Sequence, residues 1–466
     1  MKLPSLKKAQ LPKAPPLTKL LGPSFILLGL GLGSGEIILW PFLASKYGLG
    51  LIWGALIGIT LQFFLNMEIA RYTLVTGESI FVGFSRKFGR IAPIWFIFAT
   101  LVPWMWPGIA AASANMIASL LHIPYSNILP ISLLIAIGII LTAGKVVYKT
   151  QETFQRAAIL IGVPFIFILA IICAKQADWQ MLFAGVVGQG EGFRFFPEGL
   201  SFATFLGALA YAGAGGTLNL TQSLYVKEKG YGMGSFSGRI TSLVSGKKES
   251  VQLTGTTFNQ TDENVNRFST WWKNINLEHG IVFWTTGAIT MLLLSLLSYS
   301  TLYGKPGIPS GVGFVIFEAH AIGEKLLPIA GVLFLAISSL MLFFTQFGVL
   351  ASTSRIMSEN FILALYPRIK ANTSSLLFTV FLWLQILLGI LIILFFSNEP
   401  LTLVVTGAVL NAVSMFIYAA LLYRVNTSML PSRVSPNLFR KVALALAIIF
   451  YGSFSLVTLL KNLNII

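Results

Sequence analysis

The sequence predicts an all-α polytopic membrane protein of eleven spans, built as two five-helix halves of inverted topology followed by one extra helix. Three observations predict this class. Of 466 residues, 55% are hydrophobic and only 10% charged, where a soluble chain carries about a quarter charged residues. At least ten apolar stretches reach about 20 residues, the length needed to cross a hydrocarbon core of roughly 30 Å. Glycine clusters then interrupt the first and sixth stretches, which are corresponding members of two successive sets of five.

Gly, Pro and charge punctuation places the spans at 22–44, 50–70, 92–121, 127–144, 157–174, 199–226, 279–302, 326–354, 374–397, 400–423 and 439–460. The organisation that follows is a tail over 1–21, a first repeat over 22–174, a second repeat over 199–423 and an eleventh helix over 439–460. With a cytoplasmic N-terminus, 26 of the 32 Lys and Arg fall in inside segments, against six outside: Lys46, Lys175, Arg194, Lys305, Lys325 and Lys461. That asymmetry predicts N-in, C-out topology and accounts for the basic excess without nucleic acid. The basic tail precedes an apolar run as a signal peptide would, but the run continues into span 1 without a small-residue cleavage site, so no processing is expected. Short outer loops and the absence of a targeting segment point to a prokaryotic inner membrane.

Residues 227–278, rich in Ser, Thr, Gly and Asn, read as a long cytoplasmic loop with little core of its own. No Gly-x4-Gly-Lys-Ser/Thr phosphate loop occurs, and no segment is large enough to fold as a nucleotide-binding domain. Neither an enzyme nor ATP-driven movement is expected, and no cofactor. The single cysteine, Cys173, lies in an apolar run and reads as a small buried hydrophobe. Pro103 and Pro107 should kink span 3.

The first interruption is Gly29-Leu30-Gly31-Leu32-Gly33-Ser34-Gly35-Glu36. Each Gly costs roughly 1 kcal/mol against Ala inside a helix, and a charged acid at the bilayer centre about 2.5–3.5 kcal/mol. An unwound segment is therefore expected at Gly33 to Glu36. The second lies near Gly213-Ala214-Gly215-Gly216-Thr217, with three glycines in four residues. Either cluster could simply let helices pack closely. Their matched placement, with an acid at one, predicts a midplane site made by Gly33, Ser34, Gly35 and Glu36 with Ala214, Gly215, Gly216 and Thr217. Gln346 in span 8 and Asn411 in span 10 are further candidate neutral ligands, or interhelical hydrogen bonders.

Gly22-Pro23 opening span 1, Tyr47-Gly48 and Leu51-Ile52-Trp53 entering span 2, Arg71 to Gly77 ending it, and Ser352 to Leu363 with Met357 and Glu359 carry a resemblance over most of the chain. In these residues the sequence resembles the Nramp divalent-metal transporters, which implies the LeuT-type fold of five plus five helices, helices 1 and 6 unwound at mid-membrane, and transport by alternating access. The family's Asp-Pro-Gly-Asn and Met-Pro-His motifs, whose side chains bind metal, are replaced here in register by Gly33-Ser34-Gly35-Glu36 and Ala214-Gly215-Gly216. The family's acid pair in helix 3 is absent from Pro103 to Leu121.

With the thioether gone, Glu36 and backbone carbonyls form an oxygen site suited to a hard cation such as Mg²⁺ rather than Mn²⁺ or Fe²⁺. The alternative reads Gly33-Ser34-Gly35 as the Gly-Ser-Gly turn of amino-acid permeases of the same fold. It would bind the carboxylate of a small amino acid or other organic zwitterion, with Glu36 taking its ammonium group or a coupling proton. A receptor or channel that keeps the fold is a third possibility. Elsewhere Glu68 can neutralise Arg71 and Arg355 can neutralise Glu359 by helical spacing. His122, His279 and His320 are too dispersed for a metal cluster. Trp104, Trp106, Trp271 and Trp272 read as interfacial or loop-flanking residues.

Overall fold

The structure, a computed structural model, describes residues 3–17, 20, 22–143, 147–237, 253–309, 311–368, 373–396 and 399–462. The bases Lys2, Lys19, Lys145, Arg239, Lys247, Lys248 and Lys370 of the charge count lie outside the described residues, as does the 238–252 part of the predicted loop.

Among the described residues, nine helical stretches are long and apolar enough to cross a bilayer, from Pro23–Tyr47 to Leu438–Lys461. The chain starts with a two-residue strand, β1 (Lys7–Lys8). Span 1 follows as α1 (Pro23–Gly31) and α2 (Trp40–Tyr47), then span 2 as α3 (Trp53–Thr76). Gly77, in the left-handed region at φ 64°, ends α3, and the Ser79 side chain caps α4 (Ile80–Phe88) by accepting from Val82 N. Span 3 divides at Met105 to Pro107 into α5 (Ile91–Trp104) and α6 (Gly108–Leu120). Pro103 stays inside α5 and Pro107 stands in the interruption itself, so this span is divided outright, more than the expected kink. Spans 4 and 5 are α7 (Ile128–Ala143) and α8 (Val147–Cys173), and α9 (Gln176–Val186) follows them.

Span 6 is split into two nine-residue helices, α10 (Phe202–Ala210) and α11 (Thr221–Lys229). A second short strand, β2 (Thr256–Thr257), precedes α12 (Asp262–His279), which runs through a π-helical turn into α13 (Thr286–Leu302). The chain closes with α14 (Gly313–Lys325), α15 (Pro328–Leu365), α16 (Ser374–Phe395), α17 (Pro400–Met429) and α18 (Leu438–Asn462). Large apolar side chains such as Phe98, Ile139, Ile168, Leu391 and Ile449 are exposed on the outward faces of α5, α7, α8, α16 and α18. In a chain of this composition that apolar perimeter is the surface that meets lipid.

Two expectations need correction. The 227–278 segment is not a connector without a core, because its last third is α12. The stretch Asp262–Leu302 has 41 residues, about 60 Å at roughly 1.5 Å per residue, so its first half projects well beyond a bilayer. Thr261 caps it by accepting from Asn264 N. The N-terminal tail lies along this projection. β1 pairs in parallel with β2, Asn264 Oδ1 accepts from Leu11 N at 3.1 Å, and Arg267 and Trp271 donate to the carbonyls of Leu11 and Pro12. Trp271 thus buries itself under the tail instead of sitting in an interfacial belt. The second correction concerns Arg355, whose ion pair within 4 Å is with Glu228 of α11, while Glu359 accepts from Ser79 Oγ. Helical spacing allows the pair on one face, but packing brings another span's carboxylate closer. The Glu68–Arg71 pair is as expected, two-pronged at 2.8 and 3.0 Å, with the guanidinium 3.8 Å over the Trp272 ring.

Candidate functional site

Span 1 is interrupted more narrowly than the glycines suggest. Leu32 and Gly33 form a turn, and Ser34–Leu39 then wind as a π-helix in which Trp40 N reaches back to Gly35 O. Of the expected unwound stretch, Gly33 lies in the turn, while Ser34, Gly35 and Glu36 keep helical hydrogen bonding of the wider π kind. Such a single π-turn inside an α-helix is frequent at functional sites. Span 6 opens fully. Tyr211 to Gly215 are not helical, Gly213, Gly215 and Gly216 have φ of 134°, 75° and 52°, and a 3₁₀ turn over Gly216–Leu220 leads into α11. Those positive φ values need glycine, which explains the density of glycine here.

The two interruptions pack directly on each other. A Cβ on Gly31 would lie 2.7 Å from the Gly213 carbonyl carbon, and one on Gly35 would lie 1.8 Å from Tyr211 O. A Cβ on Gly33 would meet the Thr345 side chain of α15 at 2.6 Å. Thr345 Oγ1 also donates to Gly29 O at 3.0 Å. The glycines of span 1 therefore serve close packing as well as the break, so the two readings of them coexist. Gln346, next along α15, is buried.

On the span 6 side, Ala214 is buried, and Gly215 N donates to Gln62 Oε1 at 3.0 Å while Gln62 Nε2 donates to Ala210 O at 3.0 Å. One amide of span 2 thus satisfies both ends of the opened turn. Gly216 packs against Asn411, where a Cβ would come within 1.7 Å of Oδ1. Asn411 Nδ2 donates to Tyr211 Oη at 3.0 Å, leaving its Oδ1 buried without a hydrogen bond. Thr217 Oγ1 accepts from Thr100 Oγ1 at 3.1 Å, and the Tyr211 ring stacks on Trp104 with centroids 5.3 Å apart.

Glu36 is fully buried, and neither carboxyl oxygen has a hydrogen-bond partner. Its Oε1 lies 3.5 Å from where a Cβ on Gly287 of α13 would sit, beside Leu28 and Ile59. The carboxyl therefore points between spans 1, 2 and 7, whereas Thr217 and Asn411 meet spans 3 and 6. The backbones of the two breaks come together as expected, but the Glu36 carboxyl does not face Ala214 to Thr217. Among the described residues no three His, Cys, Asp or Glu side chains gather as a metal cluster would.

Gln62, Thr100, Tyr211 and Thr345 join the site without any motif in the sequence to mark them. A Gln within the apolar run of span 2 was itself a signal, since an amide inside a membrane helix seeks a partner. A further polar cluster lies where spans 1, 2 and 7 meet. Ser24 Oγ donates to Glu278 Oε2 at 2.5 Å and lies 2.7 Å from His279 Nδ1, and Asn66 Nδ2 is 3.3 Å from His279 Nε2. His279 is thus a buried link between spans 1, 2 and 7.

No protein-family model matches the sequence, and no curated protein matches it. Solved structures do. A manganese transporter of Eremococcus coleocola superposes with a TM-score of 0.72 at 12% identity, over 97% of this chain and 89% of that one. Mhp1, a nucleobase-cation-symport-1 family transporter, superposes with a TM-score of 0.53 at 12% identity, over 95% of this chain and 93% of that one. The chain is an integral membrane protein with the LeuT-type transporter fold. At these identities the likeness establishes the architecture.

Proposed function

We propose that the protein is a secondary active transporter that carries a small cation across the membrane by alternating access, with Glu36 as the one charged group of its site. The observation that carries this reading is the Glu36 carboxyl, fully buried at a broken span with no hydrogen bond or ion pair to either oxygen. An unpaired carboxylate costs several kcal/mol in a low-dielectric interior, so this position calls for positive charge from outside the chain. With backbone carbonyls and the neutral oxygens of Ser34 and Gln346 as the remaining candidates, a hard divalent ion such as Mg²⁺ fits better than Mn²⁺ or Fe²⁺. In the proposed orientation, N-terminus inside and C-terminus outside a prokaryotic inner membrane, spans 1 and 6 rock against spans 3 and 8.

One observation favours the second reading. The carboxyl faces spans 2 and 7, while the stacked Tyr211 and Trp104 with Asn411 and Thr217 form a separate neutral lining. There a small amino acid or other zwitterion would bind, and Glu36 would hold a coupling proton. Uptake into proteoliposomes of Mg²⁺, Ca²⁺, Mn²⁺ and a set of amino acids decides between the two. Uptake of Mg²⁺ supports the cation reading, and uptake of amino acids alone replaces it with the second. Binding without any uptake overturns both.

A further inference from the structure

We propose that Asn66, His279, Ser24 and Glu278, hydrogen-bonded in that order where spans 1, 2 and 7 meet, form a relay that binds one proton between the broken spans and the basic face. On the transporter reading above, on which this role rests, that proton drives the solute. Ser24 lies in the first turn of α1, Asn66 in α3, and Glu278 and His279 end α12. All four side chains are buried. Counting about 20 residues back from Leu302, at roughly 1.5 Å each, puts the inner edge of a ~30 Å core near Val282, so the relay sits at that edge.

The bonds fix where the protons are. Ser24 Oγ gives its one hydrogen to Glu278 Oε2 at 2.5 Å, so at 2.7 Å it accepts from His279 Nδ1. Asn66 Nδ2 donates to a bare Nε2 at 3.3 Å, and the ring is neutral. Two atoms of the chain are buried without a hydrogen bond, Glu278 Oε1 and Asn66 Oδ1. The second of these is the acceptor that an added proton calls for. A proton taken at Nε2 makes an N–H, which the Asn66 amide, once turned, accepts at Oδ1. Nδ1 gives its proton to Ser24 Oγ, and Ser24 gives its own to Glu278 Oε2. The ring ends neutral as the other tautomer and Glu278 ends as a carboxylic acid, with one proton gained. When span 1 withdraws Ser24, Glu278 returns that proton to water and the freed ring exchanges tautomer through water.

The two ends face different surroundings. Gln62, one turn from Asn66 on α3, bonds the opened turn of span 6. Phe283, stacked on His279 at 4.6 Å, reaches the same turn, since Gln62 Oε1 and Phe283 Cζ both lie 2.8 Å from where a Cβ on Gly213 would sit. The ring also stacks on Phe63 at 5.7 Å, and Arg440 lies 5.8 Å from the Phe63 ring. At the other end, Lys229 of α11 acts on Glu278 while standing 3.3 Å from Glu152, and Tyr231 is the further titratable group beside it.

The chain has three histidines, so full-length protein carrying His122→Asn and His320→Asn in lipid shows His279 alone to nitrogen-15 NMR. As pH falls from about 9 to about 4, the neutral Nδ1–H ring should become the neutral Nε2–H ring. A carboxylic acid band that Glu278→Gln lacks should rise with it in the infrared. Ser24→Ala and Glu278→Gln should each stop the tautomer change, in protein shown to be folded by thermal melting. A ring that keeps Nδ1–H throughout, or becomes imidazolium whether or not Glu278 is present, overturns the proposal. In proteoliposomes given Mg²⁺ or the set of amino acids, an entrapped pH dye should respond as solute enters, and at least tenfold less per solute in Ser24→Ala. Solute entry without proton movement in wild type overturns the relay's role and leaves the transporter reading. The tautomer change without uptake of any solute supports the proton site and overturns that reading instead.

Discussion

Gly35→Ala tests the contact between the two broken spans. The new Cβ would stand 1.8 Å from Tyr211 O and 2.6 Å from Tyr211 C, against about 3.4 Å for an ordinary contact. Both atoms are backbone, so no side-chain rotation relieves the clash, and spans 1 and 6 must separate by about 1.6 Å there. Overpacking of this kind costs about 1–3 kcal/mol, while Ala returns up to about 1 kcal/mol of helix propensity. The net expectation is a loss of about 1–2 kcal/mol. Gly280→Ala is the matched control. It lies in the π-turn of span 7 with Phe63 Cε2 as its nearest neighbour at 3.9 Å, so it should be neutral or gain up to about 1 kcal/mol. The assay is paired thermal melting of the purified variants in one detergent, with uptake by proteoliposomes alongside. A Gly35→Ala protein that melts at or above the Gly280→Ala protein would refute direct packing of the two breaks.

Glu228→Gln should destabilise the protein by about 3 kcal/mol in chemical unfolding, because it neutralises the carboxylate paired with the buried Arg355 guanidinium. Glu359→Gln, which alters only an acceptor of Ser79, should cost about 1 kcal/mol, and the reverse ranking would restore the pairing that helical spacing suggests. Glu318 of α14, outside the spans, has its carboxyl pushed up to about 8 by burial. A raised acid contributes stability that is whole below its unfolded value of about 4.3 and is lost as pH rises through the folded value. Melting of wild type relative to Glu318→Gln should therefore fall between about pH 4.5 and 8 and level off above; a difference independent of pH would contradict it. Trp271→Phe, which removes the donor to Pro12 O, should cost about 1 kcal/mol and raise proteolysis within the N-terminal tail, read by limited digestion.

Much of the architecture was legible because its signals are strong and local. Apolar length, charge asymmetry and prolines located the spans, and glycine density located both interruptions. What escaped depends on three-dimensional neighbours. Glycines can mean an open turn or a close contact, and only the positions of Tyr211 and Thr345 reveal that span 1 uses them mainly for contact. The direction of the Glu36 carboxyl is equally invisible in sequence, since any helix residue can face any of several neighbours. The Arg355–Glu228 pair joins residues 127 apart, beyond the reach of i, i+4 reasoning. Composition made 227–278 look coreless, although α12 becomes stable by packing the tail against it.

The measurement closest to the central claim is transport by Glu36→Gln, a near-isosteric change that removes the charge and leaves the glycine contacts in place. Reconstituted at equal density, it should melt at or above wild type yet accumulate none of the solute that wild type takes up, whether Mg²⁺ or an amino acid. Uptake at the wild-type rate by Glu36→Gln would mean that positive charge does not travel by way of this carboxyl.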